Sequence, residues 1–212
     1  MSVVSKDSDH FKSPLRGITG IVLAGGKSSR FGANKAFVEI NGVQLIERVM
    51  KVMGSVFERL ILITNTPHEY AYLNIPMVED LIKDLGPIGG ILTGLEAISD
   101  ECGFFVACDM PFINSDLIHY MVDVRDDYDA VVPRISWKIE ALHALYRKNC
   151  LTAIRGLIES HEYQTIRFFN NVRVRYVDWD EIRAFDPKQR SFFNINSPQE
   201  LLDATKHTGE IR

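Results

Sequence analysis

The sequence predicts an α/β fold: a single domain arranged as a three-layer α/β/α sandwich around a mostly parallel, Rossmann-like sheet. Three observations predict it. Short apolar runs of strand length alternate with segments whose apolar residues recur at helical spacing. Polar turn residues bound these runs, giving repeated βαβ order. The 212 residues, 46% hydrophobic and 25% charged, suffice for one buried core, and no linker, repeat or low-complexity tract divides them. In such a sheet, ligands bind beyond the carboxyl ends of the strands.

Ile18, Ile21, Val22 and Leu23 form the first apolar run, which stops at Gly25-Gly26. After an extended segment from Ala36 to Ile40, the residues Leu45, Ile46, Val49, Met50, Val52 and Met53 recur at helical spacing. Leu60 to Ile63 and Ile75 to Val78 read as strands, Pro87 to about Ser99 as a helix, and Phe104 to Ala107 as a strand ending at Cys108-Asp109. A helix over Ser115 to Val124 and a strand over Ala130 to Val132 follow. The character changes after about Arg134: Trp137 to Tyr146 reads as a hairpin-like excursion. A helix from Asn149 to Ser160, a strand from Val172 to Val177 and a last helix complete the order. That helix opens with Ser197 as N-cap, Pro198 in the first turn and Glu200 as the capping-box acid.

A formal charge of −4 and a pI near 5.9 give no global attraction to nucleic acid or anionic membrane, so phosphate binding must be local. Cys102, Cys108 and Cys150 form neither an even disulfide set nor a pair at metal-ligand spacing, as expected of a reducing compartment. Met1 to Arg16 lacks the apolar stretch of a secretory signal and is expected to be a mobile leader before a domain over 17–212. No run reaches the ~20 apolar residues of a membrane span, and the cytoplasm is the expected location.

The segment LAGGKSSRFGANK, Leu23 to Lys35, joins Gly25, Gly26 and Gly32 to Lys27, Arg30 and Lys35. Glycines let backbone N–H groups wrap an anion, and the cations neutralise phosphate charge. A Walker loop is excluded, because the glycine required five positions before Gly26 is Ile21. A dinucleotide fingerprint is excluded as well, for want of a third glycine at the right spacing. Asp109, at the end of a strand, is a magnesium-ligand candidate or a cap of the turn before Pro111. Gly86, Gly90 and Gly94 fall on one helix face, serving either close packing or ligand approach. Glu79 and Asp80 stand next to that helix start as acceptors suited to the N1–H and amino group of guanine. Asn194 and Asn196 alternate before the last helix, as ligands or as turn residues. His143, within an apolar stretch, reads as a satisfied core histidine.

Together, LAGGKSSRFGANK, EDLIKDLGPIGG, CDMP, EALHALYR and FFNINSPQEL resemble the molybdenum cofactor guanylyltransferase (MobA) family in order and spacing, over about Gly17 to Ala204. The first loop and the aspartate turn are class-wide among nucleotidyltransferases; the Gly-Pro-Ile-Gly-Gly and Asn-Ile-Asn-Ser-Pro elements narrow the resemblance. It implies transfer of GMP from GTP to the terminal phosphate of molybdopterin, with pyrophosphate released. It implies that Leu23, Ala24, Gly25, Gly26, Arg30 and Lys35 bind the nucleotide, the last four at the triphosphate. Asp80, Gly86, Pro87 and Gly89 would place guanine. Lys35, Arg30 and Asp109 would be catalytic, with Asp109 on Mg2+, and Asn194 and Asn196 would lie on the pterin side. The Gly25-Gly26 doublet is similar to guanine-using members rather than cytidine-using ones. Residues 17–134 would form the nucleotide half and 135–212 the acceptor half. Proteins that insert molybdenum or receive the cofactor are implied as partners. Asn34 departs from the pattern, standing where the family usually has an aspartate.

An acceptor phosphate is ionised near neutral pH, with a second pKa of about 6 by analogy with phosphoserine, so in-line attack on the α-phosphorus needs no dedicated general base. No serine, histidine and aspartate constellation is evident. Two other readings fit the same residues: a different nucleotidyltransferase, cytidylyl or sugar-phosphate, and a nucleotide-binding regulatory protein without turnover.

Overall fold

The computed structural model describes residues 13–25 and 34–208. β1 (Leu15–Leu23) leads past a 3-10 turn at Lys35–Phe37 to a small hairpin, β2 (Glu39–Ile40) and β3 (Val43–Gln44). Then come α1 (Leu45–Val56), β4 (Phe57–Ile63), a 3-10 segment Pro67–Leu73, β5 (Met77–Val78), α2 (Pro87–Ala97), β6 (Cys102–Ala107) and α3 (Ser115–Asp123). The remainder is β7 (Ala130–Ile135), β8 (Lys138–Ile139), β9 (His143–Arg147), α4 (Cys150–Glu159), a 3-10 segment Thr165–Asn171, β10 (Val174–Asp178), α5 (Trp179–Ile182), a 3-10 turn Arg190–Phe192 and α6 (Pro198–Thr208).

The main sheet has the order β10-β7-β9-β6-β1-β4-β5, with β8 paired to β7 alone. β1 lies parallel between β4 and β6, and β5 extends β4 in parallel. β9 runs antiparallel to both β6 and β7, so the excursion over 137–146 is a hairpin-like return whose second strand inserts into the sheet. β10 then pairs with β7 in parallel. The two halves expected from the sequence therefore share one sheet.

Strand periodicity separates the core into two faces. Val22, Phe104 and Val106 pack on one side with Ile46, Val49 and Met53 of α1 and Leu117 and Met121 of α3. Ile21 and Phe105, one residue out of phase, pack on the other with Ile91 and Leu95 of α2 and Ile154 of α4. Helices on both faces give the three layers that the alternation predicts. In β6 every residue is buried, as expected of a central strand covered on both sides.

Several boundaries differ from expectation: β4 begins at Phe57 rather than Leu60, β5 at Met77 rather than Ile75, and β10 at Val174 rather than Val172, while β7 runs on to Ile135. Leu15 and Arg16, expected in the leader, belong to β1, where Leu15 pairs with Phe57; residues 1–12 lie outside the described residues. The segment from Ala36 to Ile40, expected to be extended, begins instead as a 3-10 turn, because the Asn34 side chain accepts from the Ala36 N–H and caps it.

Candidate functional site

After β1 the chain adds β4 and β5 on one side of it and places β6 on the other, which makes the carboxyl ends of β1 and β6 the switch point of the sheet. A cavity of about 1290 Å³ opens there, lined on its central strands by Leu23, Ala24, Gly25 and Asp109. The backbone ties these ends together. The Cys108 N–H donates to the Leu23 carbonyl at 3.0 Å, and the Ala24 N–H to the Ile63 carbonyl at 2.9 Å.

Three residues distant in sequence meet beside this opening. The Lys35 ammonium pairs with Asp109 Oδ2, and the same ammonium donates to Asn196 Oδ1 at 3.2 Å. The Ile195 N–H donates to the Asp109 carbonyl at 3.0 Å, which holds the Asn194–Asn196 segment against the aspartate turn. Glu200 accepts from the Asn196 N–H at 2.7 Å and from Ser197 Oγ at 3.0 Å, while the Glu200 N–H donates back to Ser197 Oγ. The start of α6 is thus the capped turn read from the sequence, with the acid reaching one residue further back than a standard capping box. Asp109 is 6% exposed, and its Oδ1 has no hydrogen-bond partner among the described residues.

On the β5 side, Asn65 and Asp80 hold each other: Asn65 Nδ2 donates to Asp80 Oδ2 at 2.7 Å, and the Asp80 N–H donates to Asn65 Oδ1 at 3.2 Å. Asp80 Oδ1 has no hydrogen-bond partner among the described residues. Gly86 caps α2 with φ +66°, a conformation that favours glycine, and Pro87 follows in the first turn. Gly86, Pro87 and Gly90 line the cavity. Gly89 does not: a Cβ there would meet the Leu85 side chain at 2.9 Å and the Ile82 carbonyl at 3.3 Å, so it faces the 82–85 loop. Gly94 sits against the sheet, where a Cβ would meet Phe105 at 2.6 Å, which is the packing explanation of the glycine stripe.

Residues 20–174 match the family model described as MobA-like NTP transferase domain. The chain belongs to the MobA-like NTP transferase domain family. A probable molybdenum cofactor guanylyltransferase of Pelotomaculum thermopropionicum is 37% identical over 186 residues, covering 88% of this chain and 91% of that protein. A molybdenum cofactor guanylyltransferase of Desulfosudis oleivorans is 37% identical over 189 residues, covering 88% and 94%. Among solved structures, molybdopterin-guanine dinucleotide biosynthesis protein A of Archaeoglobus fulgidus superposes with a TM-score of 0.80 at 25% identity, covering 91% of this chain and all of that one.

Of the residues that the resemblance to the MobA-like family singles out, the structure brings Lys35, Asp109 and Asn196 into contact. It sets Leu23, Ala24, Gly25, Asp80, Gly86, Pro87 and Asn194 around the same cavity. Gly26 and Arg30 lie outside the described residues. Sequence reasoning missed Asn65 and Glu140, both of which line the cavity. Asn65 had a signal, since it follows the end of β4 as Asp109 follows the end of β6. Glu140 opens the EALHALYR segment that carries part of the resemblance, but its place beside Asp109 depends on a strand order that was not legible.

No thiol offers a nucleophile. Burial pushes the Cys108 thiol up to about 12, and all three cysteines are buried and free. Among the described residues no group of three or more His, Cys, Asp and Glu side chains could hold a metal by itself. Asp109 Oδ1 is nevertheless a fitting hard-oxygen donor for a Mg2+ ion that takes its other ligands from phosphate and water.

Proposed function

We propose that this chain transfers GMP from GTP to the terminal phosphate of molybdopterin and releases pyrophosphate, in the cytoplasm and with Mg2+. The observation that carries the proposal is the convergence of Lys35, Asp109 and Asn196 at the switch point of the sheet. The buried free thiols suit a reducing compartment.

In this reading Leu23, Ala24, Gly25, Gly26, Arg30 and Lys35 receive the nucleotide. Asp80, braced by Asn65, offers Oδ1, which has no partner among the described residues, to the N1–H and amino group of guanine. Gly86 and Pro87 let the base approach the start of α2. Asp109 Oδ1 would hold Mg2+, and the ion when bound would supply positive charge against the phosphates. Lys35 neutralises the phosphate charge from the other side of Asp109. Asn196, held to Lys35, and Asn194 orient the acceptor, whose ionised phosphate attacks the α-phosphorus in line. The protein's own contribution is position and charge, and no dedicated general base is required.

A thermal-shift panel of GTP, CTP, ATP and UTP with Mg2+ tests the donor. A nucleotide at 100 times its Kd stabilises by about 2.7 kcal/mol, so selective stabilisation by GTP is the expected result. Selective stabilisation by CTP would move the chain to cytidylyl transfer, and GTP binding without pyrophosphate release would move it to a regulatory role.

A further inference from the structure

We propose that Glu140 is the carboxylate that reads the pyrimidine edge of the pterin acceptor and so sets acceptor specificity; the inference rests on the guanylyl-transfer reading above. Of the five cavity-lining acids, Glu69 and Asp84 flank β5 in sequence, and the other three fall in a fixed order along the carboxyl edge of the sheet. Asp80 follows β5, Asp109 follows β6 three strands away, and Glu140 stands just before β9, the next strand beyond. At about 4.8 Å per strand the first two are roughly 14 Å apart across the sheet. Asp80 and Glu140 therefore flank the reacting centre on opposite sides, and a nucleotide base held near Asp80 leaves Glu140 to the acceptor.

The position of Glu140 is built rather than incidental. Its N–H donates to the Pro133 carbonyl at 3.0 Å, and its carbonyl accepts from the His143 N–H at 3.2 Å. The Ala107 N–H donates to the Leu142 carbonyl at 3.2 Å, which ties this turn to the end of β6 two residues before Asp109. Glu140 is 6% exposed. Its partner among the described residues is the Lys138 ammonium, 2.6 Å from Oε1 and itself on a largely exposed side chain. A carboxylate has about four lone-pair sites, so most of its accepting capacity remains for the cavity that it lines.

A buried carboxylate costs free energy unless donors satisfy it, and one exposed lysine is a weak reason to keep it. It also repels phosphate, so it must face the part of the acceptor that carries none. The 2-amino-4-oxopyrimidine ring of a pterin presents its N3–H and 2-amino group side by side. Two parallel donors match the two oxygens of one carboxylate. A lumazine, with oxygen in place of the 2-amino group, turns an acceptor toward that carboxylate instead.

The test is an equilibrium fluorescence titration with 6-hydroxymethylpterin and 6-hydroxymethyllumazine, in the wild-type protein and in Glu140→Gln, with GTP-dependent thermal stabilisation measured on each. The wild type is expected to prefer the pterin by roughly 10–100-fold, the worth of one hydrogen bond to a charged group. Glu140→Gln should bring the lumazine to parity or better, since an amide both accepts from N3–H and donates to the 2-oxo group, whereas a purely structural role would weaken both ligands alike. Equal or undetectable binding of the two ligands by wild-type protein, or an unchanged preference in Glu140→Gln, overturns the assignment. Those results leave the donor reading standing if GTP still stabilises the protein; loss of selective GTP stabilisation in the wild type counts against that reading instead.

Discussion

At Lys35 a single ammonium touches both the Asp109 carboxylate and the Asn196 amide, so truncating it removes a preorganised charge and the link between two segments. Lys35→Ala should slow turnover by roughly 10²–10³-fold; a steady-state rate within threefold of wild type would remove Lys35 from the machinery. Asn34, beside it, uses its amide as a donor. Its Nδ2 donates to Glu69 Oε2 and to the Tyr70 hydroxyl, each at 2.9 Å, which an aspartate could not do. His143 is a core residue as read, but not a satisfied one: neither ring nitrogen has a hydrogen-bond partner among the described residues, and the ring stands edge-on between Phe104 and Phe192. Burial lowers its pKa from 6.5 to about 4, with the Asp186 charge acting weakly the other way. The unfolded chain then binds the proton first, so the stability from neutral His143 is present above pH 6.5 and is lost as pH falls toward 4. In that window unfolding free energy should drop by up to about 1.4 kcal/mol per pH unit. Urea titrations at pH 5.0 to 6.5 check this, and His143→Phe should flatten the slope there; equal slopes would clear His143 of the effect.

At the scale of elements, the start of α6 is where local chemistry becomes site geometry. Ser197, Pro198 and Glu200 were legible as a helix start because capping is a short-range pattern. Their consequence was not: Glu200 also fixes the Asn196 N–H, and Asn196 accepts from Lys35. Glu200→Ala is expected to cost about 1 kcal/mol of stability, the usual value of a lost cap, and to lower kcat more than the stability loss accounts for. Glu200→Gln, still able to accept the hydrogen bond, should recover most of that rate. If alanine and glutamine variants turn over alike, the cap has no part in positioning Asn196. The glycines of α2 divide in the same way. Their helical spacing was plain, but only packing showed that Gly94 admits Phe105 while Gly86 and Gly90 face the cavity.

At the scale of the molecule, β9 decides the architecture. It enters the sheet antiparallel between β6 and β7, so residues from after Arg134 complete the strand neighbourhood of Asp109. A chain ending at Arg134 would expose the β6 edge and leave Phe105 without the Tyr146 ring that packs on it. Residues 1–134 alone are therefore expected not to fold cooperatively, read as the absence of a sigmoidal urea transition, and mixing with 135–212 should restore one. A cooperative transition in the first fragment alone would show that the nucleotide half carries its own core.

The sequence by itself determined the α/β class, the order of the main strands and helices though not the β2–β3 hairpin or α5, the glycine-rich loop after β1 and the acid after β6, because each depends on periodicity or turn chemistry within a few residues. Tertiary structure decided that Lys35 meets residues 74 and 161 positions away, that β9 inserts antiparallel, and that Glu140 and Asn65 face the same opening as Asp109. Strand order and the close approach of distant side chains depend on which buried faces fit together, and no local pattern carries that information.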